Sequence, residues 1–352
     1  MKAQSIKHGF KVPFYPLDLI YDSALFAEEK GFDSAWSADH MVGISTKNRQ
    51  CFSAWEIMSA LAVKTNRIQL GTSVSDPCRL HPAIIAQMAV TLNHISKNRF
   101  SLGMGAGEAQ NNAPYGIDCS HPVKRLEESI EIIRELVRGE EVTHKGRFFN
   151  LRNAIVSPGL PTDALKIWMG ANSKKTLEMT ARLADGWLPI ACIFPPDSYR
   201  ATLQVMKTEA TRAGRDPDSV EPGLFLHVAI AKRKEDADRM AEHIGKLQLV
   251  GWVPEIFKEI GESSRDDFHF KNLIFDDLTS RRLDEVLQKL PMDPVYERMA
   301  VGTPEQCLEK IDSFVKAGAR HIVASFMCPP DKLLESMRLY EHTIISYYKS
   351  KS

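Results

Sequence analysis

Four short stretches carry residue types from which a chemical site could be built. They are Asp39-His40, Ser73-Val74 with Asp76 just beyond, Gly105-Ala106-Gly107-Glu108, and Gly170-Ala171-Asn172-Ser173-Lys174. Histidine and glutamate titrate in different ranges, so His40 beside Glu108 would supply one acid and one base for proton transfer. The same pair also reads as a capping carboxylate and a satisfied structural histidine, and Asp39 as a simple turn residue. Glycines around Ala106 would let backbone N–H groups approach a ligand closely, because no Cβ stands in the way. Gly170 to Ser173 precede a helical pattern, so backbone amides there suit a phosphate, while Ser173 also reads as an ordinary helix N-cap. His81 and His121 each precede a proline and are read as turn residues.

Each stretch follows a short apolar segment with strand character. Strands are expected at 6–13, 32–37, 68–74, 99–105, 166–170, 186–189, 223–231 and 321–326. Helical periodicity lies between them, at 17–30, 53–65, 82–95, 123–138, 173–183, 197–213, 235–249 and 304–316, with a last helix from Asp331 onward. The stretch 141–151 alternates around Lys145-Gly146 and reads as a β-hairpin, and 45–50 is a polar loop. Regular spacing fails between about 251 and 298, which reads as an insertion rich in charge and aromatics. Eight strand-then-helix units without a long linker predict one α/β domain, a (β/α)8 TIM barrel over 1–352, whose site gathers beyond the strand C-termini. The competing doubly wound sheet would need a glycine turn running from the first strand straight into a helix. Gly103 and Gly105 begin a G-x-G-x-x-G pattern, but its sixth position is Glu108 and the next helix is expected only at about Val123.

Composition bounds the remaining classes. The chain has 352 residues, 26% of them charged, and a formal net charge of zero, so no basic nucleic-acid stripe or polybasic membrane patch is expected. No apolar run reaches membrane-spanning length, and MKAQSIKHGF lacks the apolar core of a secretion signal. The six cysteines lack C-x-x-C spacing and are read as reduced thiols of a cytoplasmic protein, with neither a disulfide frame nor a zinc site. H-E-x-x-H, G-x-S-x-G and P-loop patterns are absent, and no metal is expected.

Taken together, the blocks GFDSAWSADH (31–40), TNRIQLGTSVSDPCRLHPAIIAQ (65–87), NRFSLGMGAGEAQN (98–111), RLEESIEIIRELVRGEEVTHKGRFFNL (125–151), IWMGANSKKTLEMTARLADGW (167–187) and VGTPEQCLEKIDSFVKAGARHIV (301–323) resemble the luciferase-like flavin and deazaflavin oxidoreductases. The resemblance is closest to the branch that uses coenzyme F420. It implies a luciferase-like TIM barrel, usually a homodimer, with the deazaflavin in the barrel mouth. It implies a cis peptide at Ser73-Val74 pressing on the middle ring, with Asp39, Ala106 and Gly107 near the ring system. By the same resemblance Gly170, Ala171, Asn172 and Ser173 hold the phosphate of the cofactor tail. His40 would handle the substrate hydroxyl proton and Glu108 would protonate or stabilise the cofactor, with hydride carried by the cofactor. The alternatives are an FMN-dependent monooxygenase on the same fold and a non-catalytic cofactor-binding protein. The substrate stays open, with 188–300 as the region that would shape its pocket.

Overall fold

The computed structural model describes residues 5–44, 49–263 and 265–351. Most of the polar loop expected at 45–50 lies outside them. In chain order the elements are β1 (Lys7–Lys11), α1 (Leu17–Glu29), β2 (Ser34–Ser37), α2 (Ala54–Lys64), β3 (Gln69–Thr72), α3 (Pro82–Ser96), β4 (Phe100–Met104), α4 (Ala109–Asn112), α5 (Pro122–Leu136), the hairpin β5 (Val142–Lys145) and β6 (Asn150–Ala154), β7 (Lys166–Met169), α6 (Lys174–Leu183), β8 (Gly186–Trp187), α7 (Pro196–Arg212), β9 (Glu221–Ile230), α8 (Lys234–Trp252), α9 (Asp277–Lys289), α10 (Asp293–Arg298), β10 (Ala300–Gly302), α11 (Pro304–Ala317), β11 (His321–Phe326) and α12 (Leu333–Tyr340).

The sheet closes on itself. β11 pairs with β1, then β1 with β2, β2 with β3, β3 with β4, β4 with β7, β7 with β8, β8 with β9 and β9 with β11, all parallel. That is the eight-stranded (β/α)8 barrel expected from the alternating pattern. β10 was not anticipated. Val228 pairs with Ala300 on one side and Phe326 on the other, so β10 continues the edge of β9 that the two-residue β8 leaves.

Strand alternation divides the burial. On β1, Phe10 faces outward and its ring lies 5.9 Å from that of Phe32, in the layer between strands and helices. Gly9 faces inward, where an added Cβ would strike Ser34 Oγ and lie 3.4 Å from His321 Nε2. The interior is filled by Trp36, Trp168, Leu188 and Val323, with Phe225 against them. Beneath these, Ser34 Oγ, His321 and Glu221 form a polar chain: Trp36 Nε1 donates to Ser34 Oγ at 2.8 Å, and His321 lies 2.7 Å from Ser34 Oγ and 3.3 Å from Glu221. Buried polar atoms there are paired, as a low-dielectric interior requires.

The stretch 251–298 forms a second apolar core with β9, β10 and α8. Phe257, Phe268, Phe270 and Leu273 are buried in it. Its longest helix, α9, buries Leu283, Val286 and Leu287, an i, i+3, i+4 stripe on an otherwise polar helix.

Candidate functional site

Two loops, at the C-terminal ends of β2 and β3, are locked together by Arg79. Its Nε donates to Asp76 Oδ2 at 2.6 Å. Its Nη2 donates to the Asp39 carbonyl at 2.6 Å and lies 3.1 Å from Asp39 Oδ2. Trp55 Nε1 also donates to Asp39 Oδ2, at 3.3 Å. Asp76 Oδ1 accepts from the backbone N–H groups of Cys78 and Arg79, both at 3.0 Å. Asp39, Asp76 and Arg79 are almost wholly buried, so each charge depends on the others for compensation. Arg79 and Trp55 therefore hold the Asp39 carboxylate in place at the barrel mouth.

His40 follows Asp39 and faces Glu108, with 3.7 Å between Nε2 and Oε2. That is longer than a direct hydrogen bond. The Phe14 ring packs against the imidazole at 5.5 Å between centroids. Burial lowers the His40 pKa most; Glu108 raises it, while Lys11 and Arg79 lower it further, so the ring is neutral at pH 7. Glu108 caps a one-turn helix, α4, that the sequence pattern missed: Asn111 N donates to its carbonyl at 3.1 Å, and Asn112 Nδ2 to the same oxygen at 3.0 Å. Gln110 Nε2 fixes the carboxylate by donating to Oε2 at 2.9 Å. Asn111 Oδ1 accepts from Met41 N at 2.9 Å, tying this helix to the loop that carries His40.

The Ser73–Val74 peptide is cis. The Val74 side chain lies against two glycines: a Cβ at Gly105 would come within 2.3 Å of its Cγ2, and one at Gly170 within 3.3 Å of its Cγ1. Gly107 has φ +89°, and a Cβ there would press on Asp76 and Asn112. Ala106 is partly buried beside it. The predicted phosphate stretch opens α6. Ser173 and Thr176 form a capping box. The Ala171 carbonyl accepts from Trp187 Nε1 at 2.9 Å, and Asn172 Oδ1 is buried without a hydrogen-bond partner.

The structure places His40, Glu108, Ser73, Val74 and Gly170 at strand ends, as the sequence reading expected, but that reading missed three groups there. Arg79 sits three residues after Asp76, a spacing that could have suggested the ion pair. Lys11 is the last residue of β1. His227, on the inward face of β9, is buried with Nδ1 unpartnered. Arg298, at the end of the 251–298 stretch, donates through Nη1 to the Cys192 carbonyl at 3.0 Å, while its Nε has no partner among the described residues. The thiol reading is corrected: Cys78 and Cys119 form a disulfide, with Cα atoms 5.1 Å apart. The two are 41 residues apart, so no local spacing marks them; the loop after β4 folds back onto the loop after β3. Cys51, Cys192, Cys307 and Cys328 are free.

A planar cofactor fits this mouth. Val74 with the bare backbone at Gly105 and Gly170 offers a flat apolar floor, and the buried, unpartnered Ser73 Oγ, Ser75 Oγ and Asn172 Oδ1 offer polar contacts. Among the described residues, no group of three or more His, Cys, Asp or Glu side chains is placed to hold a metal ion, and no helix is long and apolar enough to cross a membrane.

The family model described as luciferase-like monooxygenase matches residues 8–321. The chain is 29% identical, over 83% of its own length and 83% of the relative's, to the phthiodiolone/phenolphthiodiolone dimycocerosates ketoreductase of Mycobacterium tuberculosis. It is 28% identical, over 97% of its length and 99% of the relative's, to the 5,10-methylenetetrahydromethanopterin reductase of Archaeoglobus fulgidus. Among solved structures it superposes with a TM-score of 0.82, at 22% identity and covering 97% and 99% of the two chains, on an F420-dependent secondary alcohol dehydrogenase in complex with an F420-acetone adduct.

Proposed function

The chain belongs to the luciferase-like monooxygenase family, and on that premise we propose that it is a coenzyme F420-dependent oxidoreductase that moves hydride between the deazaflavin and the carbonyl or carbinol carbon of a small organic substrate. The observation that carries this reading is His40 facing Glu108 across 3.7 Å, beside the Val74 floor. The relatives support the branch: they are named as a ketoreductase and a reductase, and the solved structure as an F420-dependent alcohol dehydrogenase.

Ser73, Val74, Ala106 and Gly107 would lie along the ring system, and Gly170, Ala171, Asn172 and Ser173 would receive the tail phosphate. When bound, the deazaflavin supplies or accepts the hydride. His40 holds the substrate oxygen and exchanges its proton. In the reducing direction a protonated His40 would give its N–H proton to the substrate oxygen and return to the neutral ring, the reverse of its role as base in alcohol oxidation. Glu108, oriented by Gln110, faces the cofactor side. Asp39 acts through Arg79, keeping the loops of β2 and β3 in register. We read the chain as a single barrel domain, with 251–298 as an insertion that walls the substrate pocket.

The test is a fluorescence titration with F420 and, separately, FMN, followed by hydride exchange with ketones and secondary alcohols. F420 should bind and FMN should not; preference for FMN overturns the assignment. His40→Asn and Glu108→Gln should each retain F420 binding and lose about 10²–10⁴-fold in turnover, the scale of general acid–base catalysis. Normal turnover in both would remove their proposed roles.

A homodimer belongs to the same proposal. Val63 on α2 and Ile84 and Ile95 on α3 expose apolar surface that a second copy would cover. Light scattering on the purified chain tests it. A cytoplasmic setting fits a diffusible redox cofactor that another enzyme must recharge. Thiol counting on protein alkylated at lysis tests that setting, since a bridge already closed in the cell marks an oxidising compartment.

A further inference from the structure

Lys11 shares the inward face of β1 with Gly9 and ends that strand at the barrel mouth. Its Nζ lies 3.3 Å from the centroid of the Phe14 ring, the same ring that packs on His40. The carboxylates of the mouth are engaged elsewhere: Asp39 and Asp76 by Arg79, Glu108 by Gln110 and His40. Cys51 is the acidic neighbour whose charge Lys11 feels, and burial pushes that thiol up to about 11, so it carries no charge at neutral pH. Lys11 is thus a largely desolvated cation without a counter-ion among the described residues, an arrangement that ordinarily costs stability.

His227 lies at the same level of the barrel one strand beyond β11: Phe10, just before Lys11, pairs with Ala324, and Ser325 pairs with His227. It shares the inward face of β9 with Phe225, one step nearer the mouth. Burial first, and Lys11 second, hold its pKa down to about 3, so the ring is neutral. Its Nδ1 has no hydrogen-bond partner among the described residues. At pH 7 the two side chains offer one donor cation and one neutral ring nitrogen. A carboxylate satisfies both: one oxygen accepts from the ammonium, the other from an imidazole N–H. A neutral carbonyl would leave the charge uncompensated. The lip above is apolar, with Tyr15, Met41 and Phe52 exposed and the rings of Tyr15 and Phe52 5.7 Å apart.

We propose that Lys11 and His227 form a carboxylate subsite, so that the substrate is an oxo acid or hydroxy acid held by its carboxylate while its carbonyl or carbinol carbon lies beside His40. This rests on the hydride-transfer reading above and deepens it to a substrate class.

The binding test uses pentanoate and its uncharged isostere pentanamide, titrated by calorimetry into the F420-loaded protein. Wild type should bind pentanoate at least about tenfold more tightly, the scale of one charge-assisted hydrogen bond. Lys11→Met should erase the preference and Lys11→Arg should keep it, with F420 affinity unchanged in both. Equal binding of the two probes to wild type, a preference that survives in Lys11→Met, or loss of F420 binding in that variant overturns the subsite. Hydride exchange is followed separately with 4-oxopentanoate and its methyl ester. Selective pentanoate binding without hydride exchange on any ketone sinks the functional reading and leaves the subsite standing. Exchange with the ester as efficient as with the acid sinks the subsite and leaves the function.

Discussion

Replacing Lys11 by methionine should make the protein more stable. Burial lowers the Lys11 pKa from 10.5 to about 8. A displacement of that size corresponds to a penalty of about 3 kcal/mol on the charged form at neutral pH. The Phe14 face returns part of it, since a desolvated cation–π contact is worth about 1–2 kcal/mol. The net gain expected for Lys11→Met at pH 7 is about 1–2 kcal/mol. Unfolding entropy of roughly 2 cal/mol/K per residue turns that into a rise in Tm of about 2 °C for a chain of this length. The sign has a pH signature. The unfolded chain binds the extra proton between about pH 8 and 10.5, so wild-type stability rises across that window, while the variant lacks this contribution. Urea unfolding at pH 7, 8, 9 and 10 should show the difference at its full value up to about pH 8, then shrinking. A variant less stable than wild type at pH 7, or a difference that ignores pH, would refute the reasoning, because it would mean that the protein itself compensates the ammonium.

Arg79→Met should cost about 3–5 kcal/mol, because it strands the Asp39 and Asp76 carboxylates in a buried site; chemical denaturation of the purified variant measures it, and a loss below 1 kcal/mol would show that the clamp is dispensable. Reducing the Cys78–Cys119 bridge releases a 41-residue separation and should lower stability by about 2–4 kcal/mol in the chain-entropy account. Thiol titration of the denatured protein should find four reactive groups before reduction and six after; six before reduction would mean that the bridge does not form.

Periodicity made most of the barrel legible. Long helices such as α5 and α11 bury a repeating stripe, and the apolar runs of β4 and β9 end in glycine or polar residues. β10 escaped because three residues, Ala300 to Gly302, are too few to show a period, and their pairing with Val228 to Ile230 is made only in three dimensions. α9 escaped for a different reason. Its stripe of Leu283, Val286 and Leu287 is present, but the surrounding charge hides it, and the core it faces comes from Phe268, Phe270 and Leu273 in the irregular stretch before it. At the site, His40 and Glu108 were legible as residues that end strands. What they touch was not. Arg79 meets Asp39 across 40 residues and Cys78 meets Cys119 across 41, and no local spacing encodes either contact.

The two halves of the mouth are electrically coupled, and this gives a last prediction. Burial sets the His40 pKa below 6.5; Glu108 acts upward, Lys11 and Arg79 downward. Arg79 is already compensated by two aspartates. Lys11 is not, so an anion placed on it cancels its field at the imidazole and lets His40 hold a proton more readily. For alcohol oxidation the neutral imidazole is the base, and activity falls as pH drops through its pKa. kcat/KM reports the free enzyme and kcat the loaded one. With a hydroxy acid, the fall in kcat/KM should begin at lower pH than the fall in kcat. With the methyl ester of the same acid, the two profiles should fall together. Coincident profiles for both substrates would show that Lys11 does not communicate with His40, whatever it binds.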